Sequence, residues 1–119
     1  MINAVVVETR TNKNKYSVGE EVELSVAVNN TGSSPVELIF TSAQHCDFIV
    51  LKDDNEVWRW SSDKMFAMVL EQLSLKPGEK QTYREPWKPR DAMPEEYNLT
   101  GIITSQPPRS STCTFKIEK

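Results

Sequence analysis

The chain has 119 residues with 14 basic and 17 acidic side chains, a formal net charge of −3, and 38% hydrophobic residues. That length suits one domain, spanning 1–119, with one moderate core. The acidic balance and the lack of a basic stripe argue against nucleic acid as a partner, and no run of about 18 apolar residues reads as a membrane span.

In chain order, Met1 to Glu8 shows no basic segment followed by a long apolar one, so it does not read as a signal peptide as written. The expected location is the cytoplasm, with export open if the N-terminus was trimmed. Val22, Leu24, Val26 and Val28 alternate with Glu21, Glu23, Ser25 and Ala27 and predict a half-buried strand. Asn29 to Pro35 supplies turn residues. Val36, Leu38 and Phe40 form the next inward set, then Cys46, Phe48 and Val50, with Asp53-Asp54-Asn55 closing a hairpin. Ile49 and Leu51 fall on the opposite face, so that strand is either covered on both sides or carries an exposed apolar patch.

Trp58 and Trp60 lie two apart on the return strand and are expected to share a face. Met65, Phe66, Val69, Leu70 and Leu73 recur at near-helical spacing, with Ser62 or Asp63 as N-cap. The expectation is one helical turn near Ser62–Phe66 and then strand through Leu75, with a fuller helix as the alternative. Pro77-Gly78 marks a turn and Gln81 to Arg84 a short strand, after which Pro86, Pro89 and Pro94 predict an irregular loop. Tyr97, Leu99, Gly101 and Ile103 face inward on a late strand, and Tyr97 fits a tyrosine corner. Gln106 to Ser111 is a second proline-bearing loop, and Cys113, Phe115 and Ile117 complete the last strand. Short alternating strands separated by regular turn signals predict an all-β, immunoglobulin-like antiparallel sandwich of about seven to nine strands, with at most one short helical turn.

Catalytic machinery is sparse. His45 is the single histidine, so any His-dependent nucleophile would have to use it. Cys46 points to the opposite face, and Asp47 shares the face of His45. The acidic pairs Glu20-Glu21, Asp53-Asp54 and Glu95-Glu96 sit in or beside turns. Asp53-Asp54-Asn55-Glu56 lacks the Gly and distal Glu of a calcium loop. No enzyme activity, cofactor or metal is expected. Cys46 and Cys113 read either as two small buried hydrophobes or as one disulfide joining the middle of the chain to its last strand.

Gln44-His45-Cys46-Asp47-Phe48-Ile49-Val50, Trp58-Arg59-Trp60-Ser61, Lys64-Met65-Phe66, Leu73-Ser74-Leu75-Lys76-Pro77-Gly78-Glu79 and Trp87 occur in that order. This set resembles the BsuPI domain, the intracellular proteinase inhibitor family, over roughly Tyr16 to Trp87. The resemblance implies the same immunoglobulin-like sandwich and a serine protease as partner for a monomeric, non-catalytic module. A structural or adhesion-type module of an exported or multidomain protein is the alternative.

Trp58, Trp60, Phe66 and Trp87 are then either core anchors or an aromatic binding surface. An inhibitor needs a rigid segment that enters the protease cleft at low entropic cost. Two proline-bearing loops qualify on composition. One runs from Glu85 to Asp91 and includes Trp87. The other runs from Thr104 to Ser111, where Pro107 and Pro108 should impose an extended, polyproline-like shape that holds Arg109 out in solvent as a partner contact. Strand addition at a sheet edge is a third route.

Overall fold

The computed structural model describes residues 4–89 and 92–119, which leaves Arg90 and Asp91 of the first proline-bearing loop outside the described residues. Ten strands form among the described residues, one of them only three residues long. They are β1 (Val5–Thr11), β2 (Lys15–Ser17), β3 (Val22–Asn30), β4 (Val36–Phe40), β5 (Cys46–Lys52), β6 (Asn55–Arg59), β7 (Glu71–Leu75), β8 (Lys80–Trp87), β9 (Glu96–Ile103) and β10 (Arg109–Glu118). One sheet has the order β1-β3-β8, the other β2-β10-β9-β5-β6, and β4 pairs with β7 as a separate ribbon. The pairings are antiparallel except that of β2 with β10. This is the immunoglobulin-like sandwich that the alternation predicts.

The alternation works because one face of each sheet is shielded from water. Val22, Leu24, Val26 and Val28 are all fully buried. They face Phe48, Val50, Leu99, Ile103 and Phe115 in one continuous core. Asn30 ends β3 with a buried amide whose Nδ2 donates to the Ser34 and Leu75 carbonyls, at 2.8 and 2.9 Å, tying β3 to the β4–β7 ribbon.

The turns follow from residue chemistry. Asp53 and Asp54 both have positive φ, 50° and 66°, as a two-residue hairpin of type I′ requires. Gly78 follows Pro77 at φ +81°, where a side chain would be strained. The Tyr97 hydroxyl donates to the Met93 carbonyl at 2.8 Å, which completes the tyrosine corner.

The two open sides of the sandwich are closed differently. On the β1 side the sheets approach closely: a Cβ at Gly101 would lie 2.5 Å from Thr9 Oγ1 and 2.9 Å from Val26 Cβ. Thr9 Oγ1 also donates to the Ser111 carbonyl across the gap, at 3.0 Å. On the other side β6 and β8 are the edges, and the space between them is filled by Trp58 stacked on Trp87, ring centroids 5.8 Å apart.

Three expectations about elements need correction. Trp58 lies on β6, but Trp60 opens a 3-10 turn over Trp60–Asp63, so the pair is not a strand couplet. The turn precedes the position predicted for it and ends at Lys64 in extended backbone, so no helix follows and Met65 to Leu70 are irregular. The turn has no side-chain cap, and Ala43 N–H takes the Ala67 carbonyl at 2.9 Å, which removes an acceptor that a helix would use. Strand β8 runs past Arg84 through Pro86 to Trp87. An edge strand tolerates a proline because one of its sides has no ladder partner.

Candidate functional site

Among the residues quoted for the family resemblance, Trp58, Trp60, Lys64 and Trp87 meet at the β6–β8 edge, and Asp47 reaches Ser61 from β5. Asp47 is 5% exposed although it points away from the core. Its Oδ1 accepts from the Phe48 and Ser61 backbone N–H groups, at 2.9 and 3.1 Å, and its Oδ2 accepts from the Ser61 hydroxyl at 2.6 Å. Arg59 Nη1 stands 3.5 Å from Oδ2. One buried carboxylate therefore folds the Trp60–Asp63 turn back over β5. Charge-assisted bonds to backbone N–H groups are the stronger kind, which suits an anchor on an otherwise irregular segment.

Three tryptophan rings line the cleft beside the turn. Trp87 is buried, while Trp58 and Trp60 are half-buried and pack against the core. Phe66 lies tilted on Trp60 with centroids 5.8 Å apart, and Lys64 Nζ sits 4.6 Å from the centroid of the same Trp60 ring. Trp58, Trp60, Trp87, Pro86 and Lys64 line a cleft of about 680 Å³ between the two sheet edges. Trp87 is part of the core, and the half-buried Trp58 and Trp60 pack against it while lining the cleft.

Beyond the turn the chain turns its apolar side chains outward. Met65 is 98% exposed, Met68 81% and Leu70 76%, while Phe66 alone of Met65 to Leu70 is turned inward to half-burial. The near-helical spacing of Met65, Phe66, Val69 and Leu70 left a fuller helix open, and the structure instead gives irregular backbone with Met65, Val69 and Leu70 exposed. Both flanks of the segment are fixed, by Asp47 at Ser61 and by the pairing of Glu71 with Phe40, and Ala43 holds Ala67 between them.

Arg109 is not on a solvent-exposed loop. It is the first residue of β10, opposite Ile103, half-buried, with Nε buried and without a hydrogen-bond partner among the described residues. Pro107 and Pro108 are exposed, but the Gln106–Pro107 bond is cis and the connection is short rather than a projecting polyproline segment. Gln106 N–H donates to the Ile39 carbonyl at 2.8 Å, and Thr104 Oγ1 donates to the Gln44 carbonyl at 2.7 Å, which hold this loop down on its neighbours.

His45 sits at the opposite end of β5 from the hairpin. It stacks on Phe40 with centroids 4.1 Å apart, its Nε2 lies 2.9 Å from Glu71 Oε1, and its Nδ1 lies 3.4 Å from the Tyr83 hydroxyl. Asp47, expected on its face, turns to Ser61 instead. Burial pushes the Tyr83 hydroxyl up to about 12, the wrong direction for an activated nucleophile. The Cys46 thiol is likewise pushed up to about 12, by burial first and then by Glu85 and Asp47. Cys46 and Cys113 are both free thiols, so the disulfide does not form. His45 acts as a tie between the β4–β7 ribbon and β8. No group of three or more metal-ligating side chains occurs among the described residues.

With this geometry in view the chain can be placed among known proteins. The architecture is that of an immunoglobulin-like β-sandwich presenting an edge cleft and an exposed crossover. The model of the BsuPI family, described as intracellular proteinase inhibitor, matches residues 9–108, and the chain belongs to that family. No curated protein sequence matches. Among solved structures, the sporulation control protein Spo0M from Bacillus subtilis is similar with a TM-score of 0.63 and 21% identity, over 99% of this chain and 51% of that one. The CARDB domain of PF1109 from Pyrococcus furiosus, solved with di-metal ions, gives 0.54 and 16%, over 95% and 86%. The alkylpurine DNA glycosylase AlkC from Pseudomonas fluorescens gives 0.54 and 16%, over 98% and 31%. At these identities the likeness concerns the fold, and the chain spans about half the length of Spo0M.

Proposed function

We propose that this protein is a monomeric, non-catalytic module that binds a subtilisin-type serine protease inside the cell and occupies its cleft. The observation that carries the reading is the family match over residues 9–108, to intracellular proteinase inhibitors. The geometry supports it: a rigid sandwich presents one fixed, strongly apolar, exposed segment, as a preordered binding surface requires. The test is residual activity of a panel of serine endopeptidases titrated with the purified protein. Inhibition of a subtilisin-type enzyme at micromolar protein or below is expected, and none at that concentration across the panel overturns the reading. A structural module of a longer protein is the second reading, favoured by the coverage of half of Spo0M and about a third of AlkC. It predicts no protease inhibition at all.

A further inference from the structure

Met65 is held in an unusual way. It is 98% exposed, while both of its neighbours grip one indole: Lys64 Nζ at 4.6 Å from the Trp60 ring centroid, and the Phe66 ring at 5.8 Å from it. Lys64 has extended backbone, φ −123° and ψ 152°. The Trp60 that both residues hold begins the turn pinned by Asp47, and Trp60 itself packs against the core. A methionine fully in water gains nothing for the fold. Fixing its neighbours on a rigid ring has a use only if the side chain is meant to be presented.

We infer that Met65 is the side chain that enters the primary specificity pocket of the protease, with Lys64 and Phe66 clamped on Trp60 as the frame that presents it. This rests on the proposed function and deepens it by naming the contact and the class of pocket. The pocket must be apolar and deep enough for an unbranched side chain, so enzymes selecting large apolar residues are the target and those selecting basic residues are not. The frame removes most of the ordering cost on binding. It also grips the chain on both sides of Met65, which opposes the separation of the two halves that productive turnover would need. Arg109, half-buried at the start of β10, lies outside the frame made by Lys64, Phe66 and Trp60.

The experiment titrates subtilisin-type, chymotrypsin-type and trypsin-type endopeptidases with wild type, Met65→Asp, Met65→Lys and Arg109→Glu. Burial of a methionine in an apolar pocket is lost in Met65→Asp, so its inhibition constant for the apolar-pocket enzymes should rise at least about 30-fold. Met65→Lys should weaken the same enzymes and strengthen inhibition of the trypsin-type enzyme. Arg109→Glu should leave all constants unchanged. Because Met65 is in solvent, urea midpoints of both Met65 variants should match wild type, which separates lost contact from lost fold. Inhibition by wild type that Met65→Asp retains in full overturns this inference and leaves the proposed function standing. A wild-type protein that inhibits none of the enzymes overturns both.

Discussion

Strand β3 and the crossover from Met65 to Leu70 are both dense in apolar residues and use them in opposite ways. In β3, Val22, Leu24, Val26 and Val28 are fully buried, and the strand is held in register between β1 and β8. In the crossover, Met65, Met68 and Leu70 stand in water, and a few isolated backbone bonds hold the chain. Apolar content alone therefore decides neither burial nor exposure here. Period-two spacing on a paired backbone sends one set of side chains inward. A carboxylate pin at one end and a ladder at the other hold the second set outward.

The largest effect that can sharpen this contrast comes from the core. Phe48→Ala removes a fully buried ring and should cost about 3–5 kcal/mol in urea unfolding. Asp47→Ala tests the pin. It leaves the Phe48 and Ser61 N–H groups without their acceptor and should cost about 2–3 kcal/mol. It should also raise amide exchange at Ser61 and weaken protease inhibition, since the Trp60 frame loses its base. If inhibition survives with stability reduced, the pin serves the fold alone.

Gly101→Ala probes the close side of the sandwich, where a Cβ meets Thr9 and Val26, and should cost about 1–2 kcal/mol by overpacking while inhibition is kept. The pH response should report on the packed body of the sandwich. Cys46 and Tyr83 have folded-state values pushed up from the ordinary 9.0 and 10.0 to about 12, so both hold their protons longer when folded. The stability they contribute is complete below about pH 9 and is lost as pH rises toward 12. Thermal midpoints should thus fall in that alkaline window, and Cys46→Ala should move the onset upward. The smallest effect is expected in the crossover: Met65→Ala should leave the unfolding free energy from urea titration within about 0.5 kcal/mol of wild type. A larger loss would mean that Met65 packs on something and is not presented.

From Val22 onward the strands were legible where their inward sets obey the two-residue period, whereas β1 and the three-residue β2 were not read as strands. The turns were legible because Asp53, Asp54 and Gly78 are residue types that tolerate positive φ. The candidate site was less so. Asp47 looked like one more strand carboxylate, since its value lies in reaching Ser61, fourteen positions on, and local pattern carries no such information. Met65 to Leu70 carries a locally convincing helical spacing that tertiary contacts override, through Ala43 at Ala67 and the extended Lys64. Arg109 was misplaced because β10 begins right after the prolines and pairs back to Ile103, which leaves little loop to project it. The turn, its Asp47 pin and the aromatic cluster are all built from the ordered pieces between Gln44 and Trp87.

The Trp58–Trp87 stack has an optical consequence. The two indoles lie 5.8 Å apart at 29° and come from different sheets, so their transitions couple only while the sheets are docked. Trp60, the third indole, carries the crossover. Ultraviolet dichroism of the coupled pair therefore reports on the seam of the sandwich, and fluorescence of Trp60 in a variant lacking the other two reports on the crossover, so one molecule carries separate colours of signal for the body that folds and the segment that is presented.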